Sequence, residues 1–261
     1  MEIKKKRSWF VRTLFIAFIL VTVLLITLLA YYYLYLNYDE RISCRITDDV
    51  IMINDLHSSM YLVKTKDSYI AIDAGYFNGI IEKGLEYNEI NPESINSVLL
   101  THTDLDHQGA INLFSKATVY FSKDEYYMVH DKVNRFSFIP YLVNTMKFDK
   151  YILMNDGDEF MIENRKIKCI ALPGHTLGSM GFIIDNKYLF SGDAFRIKNG
   201  KLQVPFKKIF TMDVTKMENS LRKVAQLKGI KYIFSGHSGF TADFDYAVSD
   251  WKTTEMILKN N

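Results

Sequence analysis

The sequence predicts a mixed α/β fold in which two mixed β-sheets are covered by helices, preceded by one transmembrane helix. Residues 13–36 form a long apolar run without a charged residue. In the rest of the chain, short runs rich in β-branched and aromatic residues occur towards both ends, and helix candidates lie between them. Strictly alternating strands and helices would give a different order, so a simple alternating βα fold is excluded.

The apolar run has the length of a membrane anchor. Its 24 positions span about 36 Å as a helix, enough to cross a hydrocarbon core of about 30 Å. A cleavable signal peptide has a shorter apolar stretch that ends in small residues, whereas this run ends in the tyrosine cluster 31–35. Basic residues are concentrated before the run at Lys4, Lys5, Lys6, Arg7 and Arg12. The positive-inside rule therefore predicts a cytoplasmic segment 1–12, a single pass of the cell membrane at 13–36, and an extracytoplasmic remainder.

The charge balance does not indicate nucleic acid as a partner. The 261 residues include 32 basic and 30 acidic ones, for a formal net charge of +2. Without the basic residues ahead of the apolar run, the remainder is slightly acidic, so no basic field remains. Cys44 and Cys169 fit either one disulfide or two separate thiols. The sequence leaves the oligomeric state undetermined.

Beyond the anchor, residues 37–49 are interpreted as a short polar joint and residues 50–261 as one domain. Strands are predicted at Val50–Ile53, Met60–Lys64, Tyr69–Ile72, Ser97–Leu100, Thr118–Phe121, Ile167–Leu172, Met180–Ile184, Tyr188–Phe190 and Tyr232–Phe234. Helices are predicted at Phe77–Tyr87, Gln108–Phe114, Val214–Leu227 and Tyr246–Leu258. Residues 123–150 are rich in aromatic residues without a clean period, which fits either helical cover over the core or a roof over a pocket.

Histidines and aspartates follow the predicted strands at the points where these strands end. His102 comes after the strand at Ser97–Leu100, and His175, Asp193 and His237 each follow a strand through a glycine. A strand end is a rigid mount, and a glycine lets the backbone turn sharply towards a shared cleft. Imidazole and carboxylate ligands converging on one sheet edge indicate a first-row metal site.

The same residues lie in motifs that resemble the metallo-β-lactamase fold superfamily. The sequence THTDLDHQGA at 101–110 is similar to its HxHxDH signature, and LPGHTLGS at 172–179 to its GHTxGS element. The remaining motifs follow in the family's order, with AIDAG at 71–75, FSGD at 190–193 and SGH at 235–237. The resemblance covers the chain from about residue 50 onward. It implies a four-layer αββα sandwich with a metal pair at one edge.

The resemblance also implies a role for each motif residue. His102 and His175 would bind a first metal ion, Asp106, His107 and His237 a second one, and Asp193 both. Asp104 departs from the pattern, because the family usually has its second histidine there. A carboxylate is a harder ligand than imidazole, so Asp104 favours iron or manganese or weakens zinc at the first site. An empty first site is a further alternative. Two divalent ions are expected, with zinc preferred and manganese or iron as alternatives.

The bridging Asp193 is typical of the hydrolase branch of this superfamily and differs from the cysteine of class B1 and B2 β-lactamases. The expected function is metal-assisted hydrolysis of a small-molecule ester, lactone, thioester or phosphodiester, with Asp106 as the catalytic residue that orients the attacking water or accepts its proton. His57 and His130 are weaker candidates as participants. Two alternatives stay open: an iron-dependent redox enzyme of the same fold, and an anchored domain that binds or senses without catalysis.

Overall fold

The structure is a computed structural model that describes residues 2–36, 43–135, 144–204 and 210–252. The chain forms two compact units, Met1–Arg41 and Ile42–Asn261. The first unit contains the helix α1, Glu2–Leu36. Its segment Val11–Tyr31 has 21 residues, or about 32 Å of helix. By length and composition this segment suits a membrane anchor or a signal sequence.

The second unit contains two large sheets. The first sheet is built from β1 (Ser43–Arg45), β2 (Val50–Asn54), β3 (Ser59–Lys64), β4 (Tyr69–Ile72), β5 (Ile95–Leu99), β6 (Thr118–Ser122) and β7 (Tyr151–Met154), in that spatial order. The strands β1 to β4 pair antiparallel, whereas β4 to β7 pair parallel, so the sheet is mixed.

The second sheet is mixed as well. Its strands are β8 (Glu159–Ile162), β9 (Arg165–Ala171), β10 (Met180–Ile184), β11 (Tyr188–Phe190), β14 (Tyr232–Ser235) and β15 (Gly239–Thr241). Their spatial order is β15-β14-β11-β10-β9-β8, and only β11 and β14 pair parallel. Between β11 and β14, the strands β12 (Arg196–Lys198) and β13 (Lys201–Gln203) form a separate two-stranded hairpin.

Short helices connect and cover the strands. They are α2 (Asn78–Tyr87), α3 (Leu105–Gln108), α4 (Lys123–His130), α5 (Val214–Ala225) and α6 (Phe244–Ala247). The side chain of Ser122 caps α4 by accepting hydrogen bonds from the amides of Asp124 and Glu125, and Asp213 caps α5 through the amide of Lys216. Such caps satisfy amides that have no partner inside the helix.

Successive residues of β3 point to opposite faces of the first sheet and contact a different layer on each face. Met60 and Leu62 pack in one apolar cluster with Ile81 of α2. Tyr61 points to the opposite face, where its ring centroid lies 5.6 Å from that of Phe190 in the second sheet. Neighbouring strand residues point to opposite faces, so β3 has a helix on one side and a sheet on the other.

The second sheet is covered in the same way on its outer face. Ile170 and Ile183 pack against Leu221 and Val224 of α5. The order is therefore helix, sheet, sheet, helix, and the predicted αββα sandwich of two mixed sheets is confirmed.

All nine predicted strands are present, with ends that differ by no more than two residues. The six strands that the sequence did not predict are β1, β7, β8, β12, β13 and β15. Four of them are sheet edges and the other two form the isolated hairpin. Four of the six, β1, β12, β13 and β15, have only three residues, too few for a recognisable strand pattern. The other two, β7 (YILM) and β8 (EFMI), are short runs with apolar residues that were not predicted as strands. Residues 43–45, interpreted as part of the joint, belong to the sheet as β1, and residues 37–42 lie outside the described residues.

The helix predicted at Gln108–Phe114 is wrong. The helix α3 ends at Gln108, and a 3₁₀ turn follows at Ile111–Leu113. The amide of Ala110 donates to the carbonyl oxygen of Gly75 in the neighbouring loop (3.3 Å), so the backbone leaves the helical path. The helix predicted at Tyr246–Leu258 begins earlier, as α6, and its part after residue 252 lies outside the described residues. Of the unclear region 123–150, residues 123–130 form α4 and residues 136–143 lie outside the described residues.

Candidate metal centre

The predicted site residues lie at one edge of the sandwich because the strands that carry them run in the same direction. In the first sheet, β4 and β5 are parallel, so Asp73 and His102 leave their strands at the same end. In the second sheet, β11 and β14 are parallel and β9 has the same direction, since both β9 and β11 are antiparallel to β10. Their loops carry His175, Asp193 and His237 to one edge.

All seven residues predicted as ligands come together there. They form three overlapping groups, and within each group the ligand atoms lie within 4.8 Å of one another. The first cluster is His102, Asp104 and His175, and the second cluster is Asp106, His107 and His237. The third group, His102, His107 and Asp193, connects the two clusters. Asp193 lies between the two clusters, with Oδ1 3.4 Å from His107 Nε2 and Oδ2 3.4 Å from His175 Nε2. Two sets of nitrogen and oxygen donors that share one carboxylate are the arrangement that a metal pair requires.

Both clusters contain a buried imidazole nitrogen without a hydrogen-bond partner in the described part of the chain, and the carboxylate between them contains an oxygen without one. His237 Nε2 lies 3.0 Å from Asp193 Oδ2 and 3.3 Å from Asp106 Oδ2. The buried atoms His107 Nε2, His102 Nε2 and Asp193 Oδ1 have no hydrogen-bond partner among the described residues. Buried polar atoms are nearly always paired, and an unpaired set needs an explanation. A bound divalent cation would satisfy all three, so this donor set fits a metal ion.

Outer residues fix the orientation of the imidazoles. Asp73 Oδ2 lies 2.8 Å from His107 Nδ1 and accepts from the Thr101 hydroxyl at 2.9 Å, while its Oδ1 accepts from the Thr101 amide at 2.7 Å. His237 Nδ1 lies 2.6 Å from the carbonyl oxygen of His57. When Nδ1 donates to such an oxygen, Nε2 keeps its lone pair for a metal. Both histidines are therefore held in the form that binds a cation.

Electrostatics also favours a cation at the second cluster. Burial by itself lowers the pKa of His237, but the Asp106 and Asp193 carboxylates outweigh it and raise that pKa to about 10. Burial alone would raise the pKa of the Asp106 carboxyl, yet the charge of His107 and the hydrogen bond from His237 hold it below its ordinary value. The carboxylates of Asp106 and Asp193 thus stabilise positive charge at the second cluster. A divalent ion would supply that charge in place of a proton on the imidazole.

The first cluster has a partner that the sequence did not predict. Arg135 is buried, and its Nε and Nη2 donate to Asp104 Oδ1 and Oδ2 at 2.8 and 2.7 Å. The same Nη2 lies 2.8 Å from His175 Nε2. Burial lowers the pKa of His175, so this imidazole is neutral and can accept that hydrogen bond. A guanidinium therefore contacts two of the three residues of the first cluster.

A second unpredicted residue, Glu125, joins the two loops that carry the first cluster. Its Oε1 accepts from the amide of Thr103 at 2.8 Å and from the Thr103 hydroxyl at 2.6 Å, and its Oε2 accepts from the Thr176 hydroxyl at 2.6 Å. Gly178 packs so closely on α4 that a Cβ would overlap the backbone of Glu125. Gly178, the second glycine of the GHTLGS stretch, thus allows this loop to contact α4 closely.

The two weaker histidine candidates differ in position. His57 lies beside the centre, with Nε2 4.0 Å from Asp106 Oδ2, although its side chain is mostly exposed. His130 is not part of the centre, because its exposed ring pairs with Asp131 at 3.2 Å and stacks on Tyr126. Cys44 and Cys169 are both free thiols, and burial raises the pKa of Cys169 to about 12.

The comparisons with known proteins agree with this geometry. The metallo-beta-lactamase superfamily matches residues 53–237, so the chain belongs to that superfamily. A hydroxyacylglutathione hydrolase of Blochmanniella pennsylvanica is 28% identical over 200 residues, which cover 76% of this chain and 68% of that protein. A probable metallo-hydrolase of Methanocaldococcus jannaschii is 29% identical over 160 residues, which cover 61% of this chain and 65% of the relative.

Solved structures share the fold. A B3 metallo-beta-lactamase with an active-site glutamic acid matches with a TM-score of 0.61 and 18% identity, over 84% of this chain and 89% of that one. A subclass B3 metallo-beta-lactamase of Bradyrhizobium japonicum matches with a TM-score of 0.59 and 17% identity, over 75% and 78% of the two chains. The family and the relatives together identify a metallo-hydrolase that uses divalent metal.

Proposed function

We propose that the chain is a membrane-anchored, metal-dependent hydrolase of a small-molecule ester, lactone, thioester or phosphodiester. The observation that carries the proposal is the set of buried, unpaired donor atoms His102 Nε2, His107 Nε2 and Asp193 Oδ1 at one edge of the sandwich. Such atoms cost stability unless a ligand pairs with them. A purely structural role would not account for buried donor atoms without partners.

The proposed ligands follow the two clusters. Asp106, His107 and His237 hold one divalent ion; His102, Asp104 and His175 form the second position; and Asp193 lies between them. Each cluster offers two imidazoles and one carboxylate, a donor set that suits zinc, and Asp104, which stands where the family usually has a histidine, also admits manganese or iron at the first cluster. We propose zinc as the ion of the second cluster.

A bound divalent ion would lower the pKa of water from 15.7 to about 7 and so supply a nucleophile at neutral pH. The chain's own part is to position that water and its proton. Asp106 is suited to this because its carboxylate is partly exposed and Oδ2 lies 3.3 Å from His237 Nε2. Its carboxyl has a lowered pKa and stays ionised, so it can orient the water by accepting its hydrogen bond.

The substrate class rests on the relatives and on Asp193. Hydroxyacylglutathione hydrolases, by their name, hydrolyse a thioester of glutathione. Their similarity extends over about two thirds of their own length. Asp193 resembles the bridging aspartate of the superfamily's hydrolase branch, and this resemblance keeps esters, lactones and phosphodiesters in the proposal as well. Thioesters are the first substrates to examine.

The anchor is proposed from α1. Its segment Val11–Tyr31 is apolar, long enough to span a bilayer, and preceded by a basic segment. The positive-inside rule then places the N-terminus in the cytoplasm and the hydrolase domain outside, with domain limits at 1–12, 13–36, 37–49 and 50–261. A soluble form released by cleavage of a signal sequence is the competing topology.

One experiment tests both parts of the proposal. The full-length protein should sediment with membranes, resist alkaline carbonate, and after detergent extraction hydrolyse at least one of four probes: a hydroxyacyl-glutathione thioester, an aryl ester, a lactone or an aryl phosphodiester. A chelator should remove the activity and zinc should restore it. Recovery only in the supernatant would contradict the anchor. Unchanged activity after complete removal of metal would contradict the metal-dependent mechanism, and bound iron with oxygen consumption would favour the redox alternative.

A further inference from the structure

Arg135 forms a bidentate ion pair with Asp104 inside the centre. Its side chain is 1% exposed, and the Nε and Nη2 atoms donate to the two carboxylate oxygens at 2.8 and 2.7 Å. Paired N–H donors of a guanidinium match the two oxygens of a carboxylate, and such charge-assisted pairs are among the strongest hydrogen bonds in proteins. The pair is therefore a fixed part of this arrangement.

Arg135 is not the only hydrogen-bond donor to the Asp104 carboxylate. Asn144 Nδ2 donates to Asp104 Oδ1 at 2.7 Å, beside the hydrogen bond from Arg135 Nε to the same oxygen. Arg135 Nη2 also donates to the carbonyl oxygen of Phe210 at 3.1 Å, which ties the guanidinium to a second loop. Asp104 therefore has hydrogen-bond partners on both oxygens without a metal ion.

The second cluster is different. Within residues 43–135, 144–204 and 210–252, Asp106 and Asp193 have histidines as their ionic partners and contact neither lysine nor arginine. His107 Nε2 is buried and unpaired, as is His102 Nε2 of the first cluster, so the clusters differ in their cationic partner and not in this respect. The two clusters thus lie on either side of Asp193 but differ in charge, since among the described residues the first is contacted by an arginine and the second by no lysine or arginine.

The carboxylate at position 104 and the nearby arginine are chemically complementary. An imidazole at position 104 would offer one nitrogen to a guanidinium, whereas the carboxylate offers two oxygens in the geometry that arginine binds best. The substitution that departs from the family's pattern thus creates a site for Arg135, and Arg135 supplies the positive charge that a buried carboxylate needs.

We propose that Arg135 competes with a metal ion for the first cluster. The guanidinium neutralises Asp104 and engages His175, so the centre binds one divalent ion tightly at the second cluster and a second ion only after Arg135 has left Asp104. This inference rests on the proposed metal-dependent function and assigns Arg135 as a positioning residue that sets the order and affinity of metal binding.

The test is a metal titration of the full chain, stripped of metal and kept in detergent. Free Zn²⁺ is set with chelator buffers and bound zinc is measured by elemental analysis; a parallel Co²⁺ titration gives the absorption spectrum of each site. The wild-type protein should bind in two separate steps. Arg135→Met should tighten the second step by about 10- to 100-fold, the equivalent of the charged hydrogen bonds that a metal ion no longer has to displace, and leave the first step unchanged. The matched control is Arg165→Met, which removes a half-buried arginine that bridges Asp49 and Asp185 outside the centre.

The outcomes distinguish a failure of the Arg135 role from a failure of the proposed function. Two equal steps in the wild type, or a second step that Arg135→Met does not tighten, would overturn the role of Arg135 and leave the proposed function intact. Absence of any bound metal in the wild type would instead overturn the proposed function. If circular dichroism shows that Arg135→Met is unfolded, Arg135→Lys replaces it. Lysine keeps the charge but cannot form the bidentate pair, so its second step should be tighter than wild type, and an unchanged step would contradict the inference.

Discussion

Replacement of His237 by alanine (His237→Ala) should abolish metal-dependent hydrolysis, with a loss of at least about 100-fold. The imidazole Nε2 lies 3.0 Å from Asp193 Oδ2 and 3.3 Å from Asp106 Oδ2, so its removal leaves two carboxylates without their shared partner and deletes a proposed metal ligand. The side chain is 25% exposed, and little core packing is lost. Hydrolysis rate and bound zinc should therefore fall together while the far-ultraviolet circular dichroism stays unchanged.

The control for this variant is His130→Ala. His130 is an exposed histidine of the same domain that pairs with Asp131 and lies outside both clusters. It should keep wild-type activity and wild-type metal content. If His237→Ala retained full activity, the assignment of the second cluster as the reactive centre would be wrong.

The second large effect is expected for Asp73→Asn. The carboxylate of Asp73 accepts from the amide and hydroxyl of Thr101 and from His107 Nδ1 at 2.8 Å. An asparagine presents an NH₂ group in place of one oxygen, which favours the His107 tautomer with its proton on Nε2. Metal affinity should fall by about 10- to 100-fold, the range found for partners that orient a ligand, and chelator-buffered zinc titration measures it.

Backbone strain does not complicate this variant. Asp73 has a φ of +58°, a conformation that asparagine tolerates as well as aspartate. A matched control is Asp185→Asn, since Asp185 has a φ of +54° and pairs with Arg165 away from the centre. Equal loss of zinc affinity in both variants would contradict an orienting role of Asp73 and indicate a general loss of structure.

The residues of the centre could be predicted because each follows an inner strand within a short motif. A histidine after a glycine at a strand end is a local signal, and Gly236 shows its cause, since a Cβ there would overlap Asp193 Oδ1. Parallel strand directions then bring these local signals to one edge. The structure adds their distances and the unpaired state of His107 Nε2.

Arg135 and Glu125 could not be predicted in the same way. Both belong to the stretch 123–150, whose aromatic residues follow no clean period. Their roles depend on contacts with residues far away in the chain: Arg135 with Asp104 and His175, Glu125 with Thr103 and Thr176. A charged residue whose partner lies on another loop leaves no pattern in its own neighbourhood, and a single sequence contains no other signal for it.

The measurement that tests the central claim most directly is the metal content of the full-length protein in detergent, by elemental analysis over a range of buffered free zinc. We expect one tightly bound divalent ion per chain, consistent with the unpaired donors of the second cluster, and a second ion only at higher free metal, because Arg135 engages Asp104. Protein that binds no divalent metal at any concentration, although it is folded, would contradict the metal centre and with it the proposed hydrolase.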